Sequence, residues 1–572
     1  MIKEPENYKL TRLDTLPTEN QAASSRVAPR VEKWLNGGFW LAFGCCCLII
    51  ALKVLSRFGV ASVWDDSFMF GRYAGNFLNS GKLAWNPGGP ATYGLTSNLF
   101  LVIVIPLRFL LGDRPGLMGV LSSLVGGAAL LVLLPYLLLS FGRHQVVTKA
   151  VILLVFIAFA SELNHFEVHI SSGMDTTFAL TYLTGYIFIW KSHQKTNSRA
   201  KIALLGVMGG LAFEVRPDLM LYTLLIPLAV LIFAATTTIR RTTLAILGIT
   251  LAVLSGVLVF NTVYFHSTLP LPFYAKSLRI YGDSFQTAYS DTARSELFDF
   301  LGAYWFLFAL IAVGIVFNLK TRWQKVSGLE VGLGLATTLF LLYYLMWAIP
   351  IMGFVQRFYY PTLPALVWLA ARSAGSSVDK IAPLLKRWSR NITRRQQLTS
   401  AAVGLGEVVV ILFCGVAAFT YVPTNLNAAI EAHTLGHFKV AENYKTLWYP
   451  DIWYRLDQFS ALPDDLVMAA TEVGYPVAMN PHKTLIDLAG LNETAFAHQQ
   501  FSSDLLFSKY QPDLIYMPHP DYKVMLADLT HNPYFQQHYE YFAPGQIKAT
   551  IGVAIRRDSK YYQQMKTIIE TP

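Results

Sequence analysis

Trp64-Asp65-Asp66-Ser67-Phe68-Met69-Phe70-Gly71-Arg72-Tyr73-Ala74-Gly75-Asn76 comes shortly after the first long apolar run, Gly38 to Leu55. Two adjacent carboxylates mark a point where the chain has left the bilayer, because a mid-membrane aspartate costs about 2.5–3.5 kcal/mol on the insertion scale. Beyond the pair, Arg72, Tyr73 and Asn76 have the i, i+3/i+4 spacing of one helical face, with Phe68, Phe70 and Leu78 as apolar partners. The spacing predicts a short amphipathic helix along the membrane surface, with the aspartate pair near its start.

The rest of the chain agrees with a membrane setting. Of 572 residues, 53% are hydrophobic and only 14% charged, and the mean hydropathy is +0.40. A soluble chain of this length carries more charge and lacks recurrent long apolar runs. The net charge of +10 raises nucleic-acid binding, but the basic residues gather in short loops between apolar runs. Lys191–Lys201, Arg240-Arg241, Lys320–Lys325 and Lys380–Arg395 are such loops, and the positive-inside rule explains them without a nucleic-acid partner. Placing them in the cytoplasm puts Asp65 and Asp66 outside. Cys45, Cys46 and Cys47 share the first apolar run and Cys414 the last, which argues against a disulfide framework or a cysteine zinc site.

These patterns predict a polytopic α-helical membrane protein of about 11 crossings, at about 20 residues each, with its N-terminus inside and its C-terminus outside. Three runs between Asn98 and Ala160 break the parity of the count, and the short run Ala150–Ala160 is the one expected to be re-entrant; the last crossing is Ala401–Tyr421. Residues 1–36 read as a cytoplasmic tail, 37–421 as the membrane domain with an outer loop at 57–97, and 422–572 as an extracytoplasmic α/β domain. In that last segment Leu466–Thr471, Thr484–Leu488, Asp513–Met517 and Ala549–Ile555 are the expected strands.

The ordered series Asp65-Asp66, Arg72-Tyr73-Ala74, Asn76, Gly81, Trp85-Asn86-Pro87-Gly88 and Gly94-Leu95-Thr96-Ser97 resembles the first outer loop of GT-C glycosyltransferases. Within that superfamily it is most similar to the mycobacterial-type terminal arabinofuranosyltransferases. Gly474, Asp487–Leu491 and Gln511–Leu514 resemble the C-terminal domain of the same group. The resemblance implies a multi-pass enzyme of a bacterial inner membrane with its active site on the outer face. Such an enzyme moves one sugar, arabinofuranose-like or another monosaccharide, from a polyprenyl-phosphate donor to a glycan, lipid or protein acceptor.

An inverting displacement needs a carboxylate to take the proton of the attacking hydroxyl, and Asp65 is the expected base with Asp66 as its catalytic partner. The same pair also suits a helix N-terminus. Arg357, Lys276, Arg216 and Arg72 are the expected donor-phosphate ligands, since guanidinium and ammonium groups neutralise a leaving phosphate; snorkelling to lipid headgroups is the plainer use of such residues. Arg216 has Asp218 beside it to pair with. Tyr73, Asn76, Asp175, Asp218 and Tyr274 are expected to contact substrate. Aromatic groups such as Tyr274, Tyr359 and Tyr360 also suit an interfacial belt.

His165 and His169 stand at i, i+4, with Asp175 downstream in Gly173-Met174-Asp175-Thr176. With Asp66 they are the candidate ligands for Mg²⁺, Mn²⁺ or Ca²⁺, against the alternative of a hydrogen-bonded pair at the interface. Gly-Met-Asp-Thr resembles the Gly-(Met/Leu)-Glu-Thr of the related enzymes, one methylene shorter. No organic cofactor is expected. A polytopic envelope-glycan ligase or polymerase, or a lipid-linked sugar transporter, is the alternative reading, although no half-repeats or paired broken helices of a transporter are visible.

Overall fold

A computed structural model describes residues 19–57, 63–112, 114–142, 144–161, 165–277, 294–319, 327–346, 354–388, 423–424, 426–427 and 452–571. Residues 1–18 of the expected tail, the basic stretch Lys320–Lys325, the crossing Ala401–Tyr421 and the domain boundary after 421 lie outside the described residues.

Apolar runs become helices in chain order. They are α1 (Glu19–Arg57), α2 (Ser67–Ser80), α3 (Leu101–Leu111), α4 (Pro115–Phe141), α5 (Gln145–Ala160), α6 (Phe166–Ser171), α7 (Thr176–Lys195) and α8 (Arg199–Val215). Next come α9 (Met220–Ile232), α10 (Thr237–Phe265) and α11 (Leu271–Ser277). The next described helices are α12 (Arg294–Ala303), α13 (Trp305–Leu319), α14 (Gly328–Met346) and α15 (Leu363–Trp388). Among the described residues, residues 36–56 of α1, α4, α10 and α14 are long and apolar enough to cross a bilayer. The pair α12 and α13 is long and apolar enough only when taken together, and it is bent by 73°. The chain is an integral membrane protein. The helix α5, expected to be re-entrant, has 16 residues, about 24 Å at 1.5 Å per residue and short of the ~30 Å hydrocarbon core.

Close helix contact is bought with small residues on α8. A Cβ on Gly206 would stand 2.5 Å from Ile249, and one on Gly210 would stand 2.6 Å from Val253. Their i, i+4 spacing therefore lets α8 and α10 pack backbone to side chain.

The C-terminal segment is a five-stranded mixed sheet of order β2-β1-β3-β5-β4. Its strands are β1 (Val467–Ala470), β2 (Thr484–Asp487), β3 (Leu514–Tyr516), β4 (Tyr539–Phe542) and β5 (Val553–Arg556). Here β1 runs parallel to β2 and β3, while β5 is antiparallel to β3 and β4. Side chains alternate between two faces, as strand geometry demands. Met468, Ala470, Leu485, Leu514 and Tyr516 join the same apolar cluster as the membrane helices. Ala469, Ile486 and Ile515 build a second cluster with Phe496, Phe507 and Leu529. Three of the five strands lie within the expected runs, β5 overlaps the fourth run and passes its end by one residue, and β4 falls in none.

The helix α2 forms where expected but does not lie free on a membrane surface. Ser67–Ala74 and Asn76 are buried, because α3 and α4 cover one side and the C-terminal helix Gly474–Met479 covers another. Leu78, expected to pack, is 41% exposed. Gly81, left-handed at φ 70°, ends the helix. The loop behind it meets the sheet: β2 is an edge strand, and Asn86 occupies its open side. Leu485 N–H donates to Asn86 Oδ1 (2.9 Å), and Leu485 O accepts from Asn86 Nδ2 (3.1 Å) and Trp85 Nε1 (2.8 Å). The outer loop thus satisfies an edge that would otherwise be unpaired.

Candidate active site

The site is built on a strained turn ahead of α15. Val355 and Gln356 adopt φ of 59° and 62°, a left-handed conformation that costs about 1–2 kcal/mol per non-glycine residue. Two contacts hold it. His169 Nε2 donates to Val355 O at 2.9 Å, and the Gln356 N–H donates to the Glu296 carboxylate. Strain persists where surrounding structure over-determines it, commonly at functional sites. Its result is to present Arg357.

Arg357 Nη1 lies 3.7 Å from Asp66 Oδ2, and Nη2 lies 3.5 Å from Asp175 Oδ1. The guanidinium carbon is 5.6 Å from the ring centres of both Trp64 and Phe358. Phe358 is the hub of a larger arrangement. The Arg216 guanidinium lies 5.7 Å from the same ring and the Lys276 ammonium 5.9 Å from it. Three cations therefore lie around one aromatic ring, and Arg357 among them faces Asp66. Arg216 is neutralised locally: Asp218 takes bonds of 3.2 and 2.6 Å from it, and Tyr344 bridges the two. Lys276 has no hydrogen bond or ion pair among the described residues. Burial pulls its ammonium down to about 8 against the opposing field of Asp66, with Arg357 and Arg216 adding to the fall.

The two aspartates divide their work. Asp66 holds the N-cap position of α2 but makes no capping bond, so its carboxylate is left facing Arg357. Asp65 is turned the other way. Its Oδ2 accepts from Gly474 N (2.9 Å) and its Oδ1 from Tyr475 N (2.6 Å), while Tyr475 Oη donates to Val63 O at 3.0 Å. A Cβ on Gly474 would sit 1.8 Å from Asp65 O, so only glycine permits this approach. Burial, then the neighbouring Asp66, pushes the Asp65 carboxyl up to about 7, outweighing the two amides. Through these two bonds Asp65, the expected base, fastens the loop before α2 to the C-terminal segment.

Arg72, expected on a phosphate, bonds protein oxygens in this structure. Its Nε donates to Trp85 O (2.7 Å), Nη1 to Asn480 O (2.8 Å) and Pro481 O (3.0 Å), and Nη2 to Asn86 Oδ1 (3.1 Å) and Lys483 O (2.7 Å). Every nitrogen is occupied, so the residue is a tie between α2, the loop and the sheet. Tyr73 and Asn76, expected on substrate, are tied likewise. Tyr73 Oη donates to Asn492 Oδ1 at 3.0 Å, and Asn76 Nδ2 donates to Ala84 O and Trp85 O at 2.9 Å. Tyr274 packs its ring 4.4 Å from His498, which fixes the Lys276 helix to the C-terminal domain. Asp218 is occupied by Arg216 and Tyr344. Of the residues expected on substrate, Asp175 is the one standing beside Arg357.

The expected metal set is not assembled. His165 is exposed in a left-handed conformation before α6, whereas His169 is fully buried with Nε2 committed to Val355 O. Among the described residues no group of three His, Cys, Asp or Glu side chains is placed to hold a metal, and Arg357 lies between Asp66 and Asp175.

Phe358, Gln356 and Glu472 were not singled out from the sequence. Glu472 sits two residues before the amides that clamp Asp65. Burial and then Asp65, Asp66, Asp487 and Asp521 push its carboxyl up to about 8. A glutamate at the end of a strand run carries no pattern that marks it.

No family match and no curated-protein match was found for the chain. Solved structures are similar. ArnT from Cupriavidus metallidurans in the apo state superposes with a TM-score of 0.51 at 12% identity, over 91% of this chain and 98% of that one. The same protein bound to undecaprenyl phosphate gives 0.51 and 12%, over 90% and 98%. The fold is therefore ArnT-like along nearly its whole length.

Proposed function

We propose that this protein is a GT-C-type membrane glycosyltransferase that moves one sugar from a polyprenyl-phosphate carrier to a hydroxyl acceptor on the outer face of a bacterial inner membrane. The observation that carries this reading is the convergence of Arg216, Lys276 and Arg357 on Phe358 beside Asp66. A fold that superposes on a protein solved with undecaprenyl phosphate supports the choice of carrier. Basic loops between the apolar runs support the orientation, with the C-terminal domain outside.

In this reading the carrier phosphate lies against Lys276 and Arg357. Lys276 meets it with an ammonium free of other partners among the described residues, and Arg357 turns toward it from two carboxylates held at 3.5 and 3.7 Å, beyond good hydrogen-bond length. Arg216, already paired, adds field rather than a contact. Asp66 takes the proton of the acceptor hydroxyl as its oxygen attacks the anomeric carbon. The new glycosidic bond forms while the carbon–phosphate-oxygen bond breaks, and the carrier phosphate leaves with that electron pair. One displacement inverts the anomeric centre. Cations placed where charge gathers on the leaving group stabilise the transition state. Among the described residues no group of three His, Cys, Asp or Glu side chains is placed to hold a metal, and no step is routed through one. Arabinofuranose and hexose carriers are both donors to be tried, and the acceptor is a glycan, lipid or protein of the envelope.

The test is single-turnover transfer by purified protein from undecaprenyl-phosphoryl sugars to envelope acceptors, followed by release of undecaprenyl phosphate. Transfer of one sugar per acceptor is expected. Carrier-independent movement of sugar across sealed vesicles would favour a transporter, and multi-sugar transfer a ligase or polymerase.

A further inference from the structure

Four buried polar atoms around the strained turn have no hydrogen-bond partner among the described residues: His169 Nδ1, Asp175 Oδ1, Gln356 Oε1 and Arg357 Nε. They belong to one neighbourhood. His169 bonds Val355 O at 2.9 Å, Val355 leads directly into Gln356 and Arg357, and Arg357 reaches Asp175 at 3.5 Å. The four residues are between 0% and 9% exposed. Native interiors pair nearly all such groups, and the exceptions call for a specific explanation. The Val355–Gln356 strain lies in the same turn and is what aims the last two side chains.

The chemistry of the set is lopsided. Because His169 Nε2 faces a carbonyl, it carries the ring proton and Nδ1 is left an acceptor. Asp175 Oδ1 and Gln356 Oε1 are acceptors too, so three acceptors stand against one donor, Arg357 Nε. A ligand suited to them presents hydrogen-bond donors. Sugar hydroxyls do so, whereas a sugar carboxylate would bring lone pairs against lone pairs.

We infer that His169, Asp175 and Gln356 form the subsite that reads the transferred group of the donor, and that they select an uncharged, hydroxyl-presenting sugar over a uronic acid. This inference rests on the proposed carrier-phosphate reading of Arg357 and Lys276. Gln356 and His169 are specificity residues in it, distinct from the phosphate contacts.

The experiment compares binding of undecaprenyl phosphate, undecaprenyl-phosphoryl glucose, undecaprenyl-phosphoryl arabinose and undecaprenyl-phosphoryl galacturonate to full-length protein in nanodiscs. For the wild type, at least one neutral-sugar carrier should bind about tenfold or more tightly than the bare carrier, and the galacturonate carrier should show no gain. Gln356→Met keeps side-chain length but removes the acceptor; neutral-sugar carriers should then bind this variant no more tightly than the bare carrier binds the same variant. Gln356→Glu restores acceptor oxygens and should recover much of the gain. A preference for the galacturonate carrier, or a full gain retained in folded Gln356→Met, would overturn the inference. So would a gain that vanishes in chelator, which would assign these acceptors to a metal ion. The wild-type comparison of neutral and acidic sugars stands even if a variant fails to fold. Bare-carrier binding with no sugar gain overturns this inference alone; no carrier binding at all overturns the parent reading with it.

Discussion

Two buried arginines on either side of the aspartate pair show how the same side chain serves opposite ends. Arg72 gives every nitrogen to an oxygen at 2.7–3.1 Å, and four of its five partners are backbone carbonyls. Arg357 gives none so tightly: its carboxylates lie at 3.5 and 3.7 Å, and its Nε has no partner among the described residues. A saturated guanidinium has nothing left for a ligand and serves as a tie. In the proposed reading an unsaturated one, beside Lys276 with no hydrogen bond or ion pair among the described residues, keeps its donors for an anion. In that reading satisfaction, rather than charge or burial, separates the structural arginine from the ligand-binding one.

The largest effect tests the saturated side. Arg72→Leu leaves several buried carbonyls without donors, at about 1–3 kcal/mol for each acceptor left unsatisfied. Thermal unfolding and protease release of the C-terminal domain should report the loss, while transfer per folded molecule stays near wild type. Loss of transfer at full stability would return Arg72 to the substrate.

Next comes the base. Asp66→Asn should lower single-turnover transfer by about 10²-fold or more, the low end for removing a general base, or about 2.7 kcal/mol, with carrier binding retained. Asp65→Asn should act mainly through the domain contact and cost less in the chemical step. The opposite ranking in folded proteins would reinstate Asp65 as the base.

A smaller effect is expected at the clamp. Gly474→Ala drives a methyl against the Asp65 backbone, and overpacking of this kind costs about 1–3 kcal/mol. Stability should fall while the carrier site is untouched. An unchanged melting profile would mean that the clamp contributes little.

The smallest effect is a pH dependence. Asp65 has a folded-state pKa raised from 3.8 to about 7. Its contribution to stability is therefore fully present below about pH 4 and lost as pH rises through about 7, because the folded state then holds a buried charge. Asp487, raised to about 7 chiefly by burial, adds to the same slope. Asp65→Asn should flatten the unfolding profile between about pH 4 and 7. A wild-type profile that strengthens across that window would contradict the assigned sign.

Much of the architecture was legible because it is written in local periodicity. Apolar runs marked the helices, and short β-rich runs marked four strands. The missed strand, Tyr539–Phe542, is an outer strand with three of four residues only partly buried, so it lacks an apolar run. The chemistry was legible only by residue type. Arg357, Lys276 and Arg216 could be named, but not Phe358 as the point where they meet. What assigned Arg72 and Asp65 to structure lies 408 to 411 residues away, at Asn480, Pro481, Lys483, Gly474 and Tyr475. No window along the chain contains both ends of those bonds. The helical period of α2 was legible, but Leu78 is exposed and the helix is covered by α3, α4 and the C-terminal helix Gly474–Met479.

The central claim is that donor satisfaction separates the tie from the phosphate site, and carrier binding tests it most directly. Affinity for undecaprenyl phosphate should be measured in nanodiscs for wild type, Lys276→Met and Arg72→Lys, with folding checked for each. Lys276→Met should weaken binding by about 10- to 100-fold, the scale of one hydrogen bond to a charged group, while folded Arg72→Lys should bind within about twofold of wild type. Carrier binding that survives in Lys276→Met and collapses in folded Arg72→Lys would contradict the account.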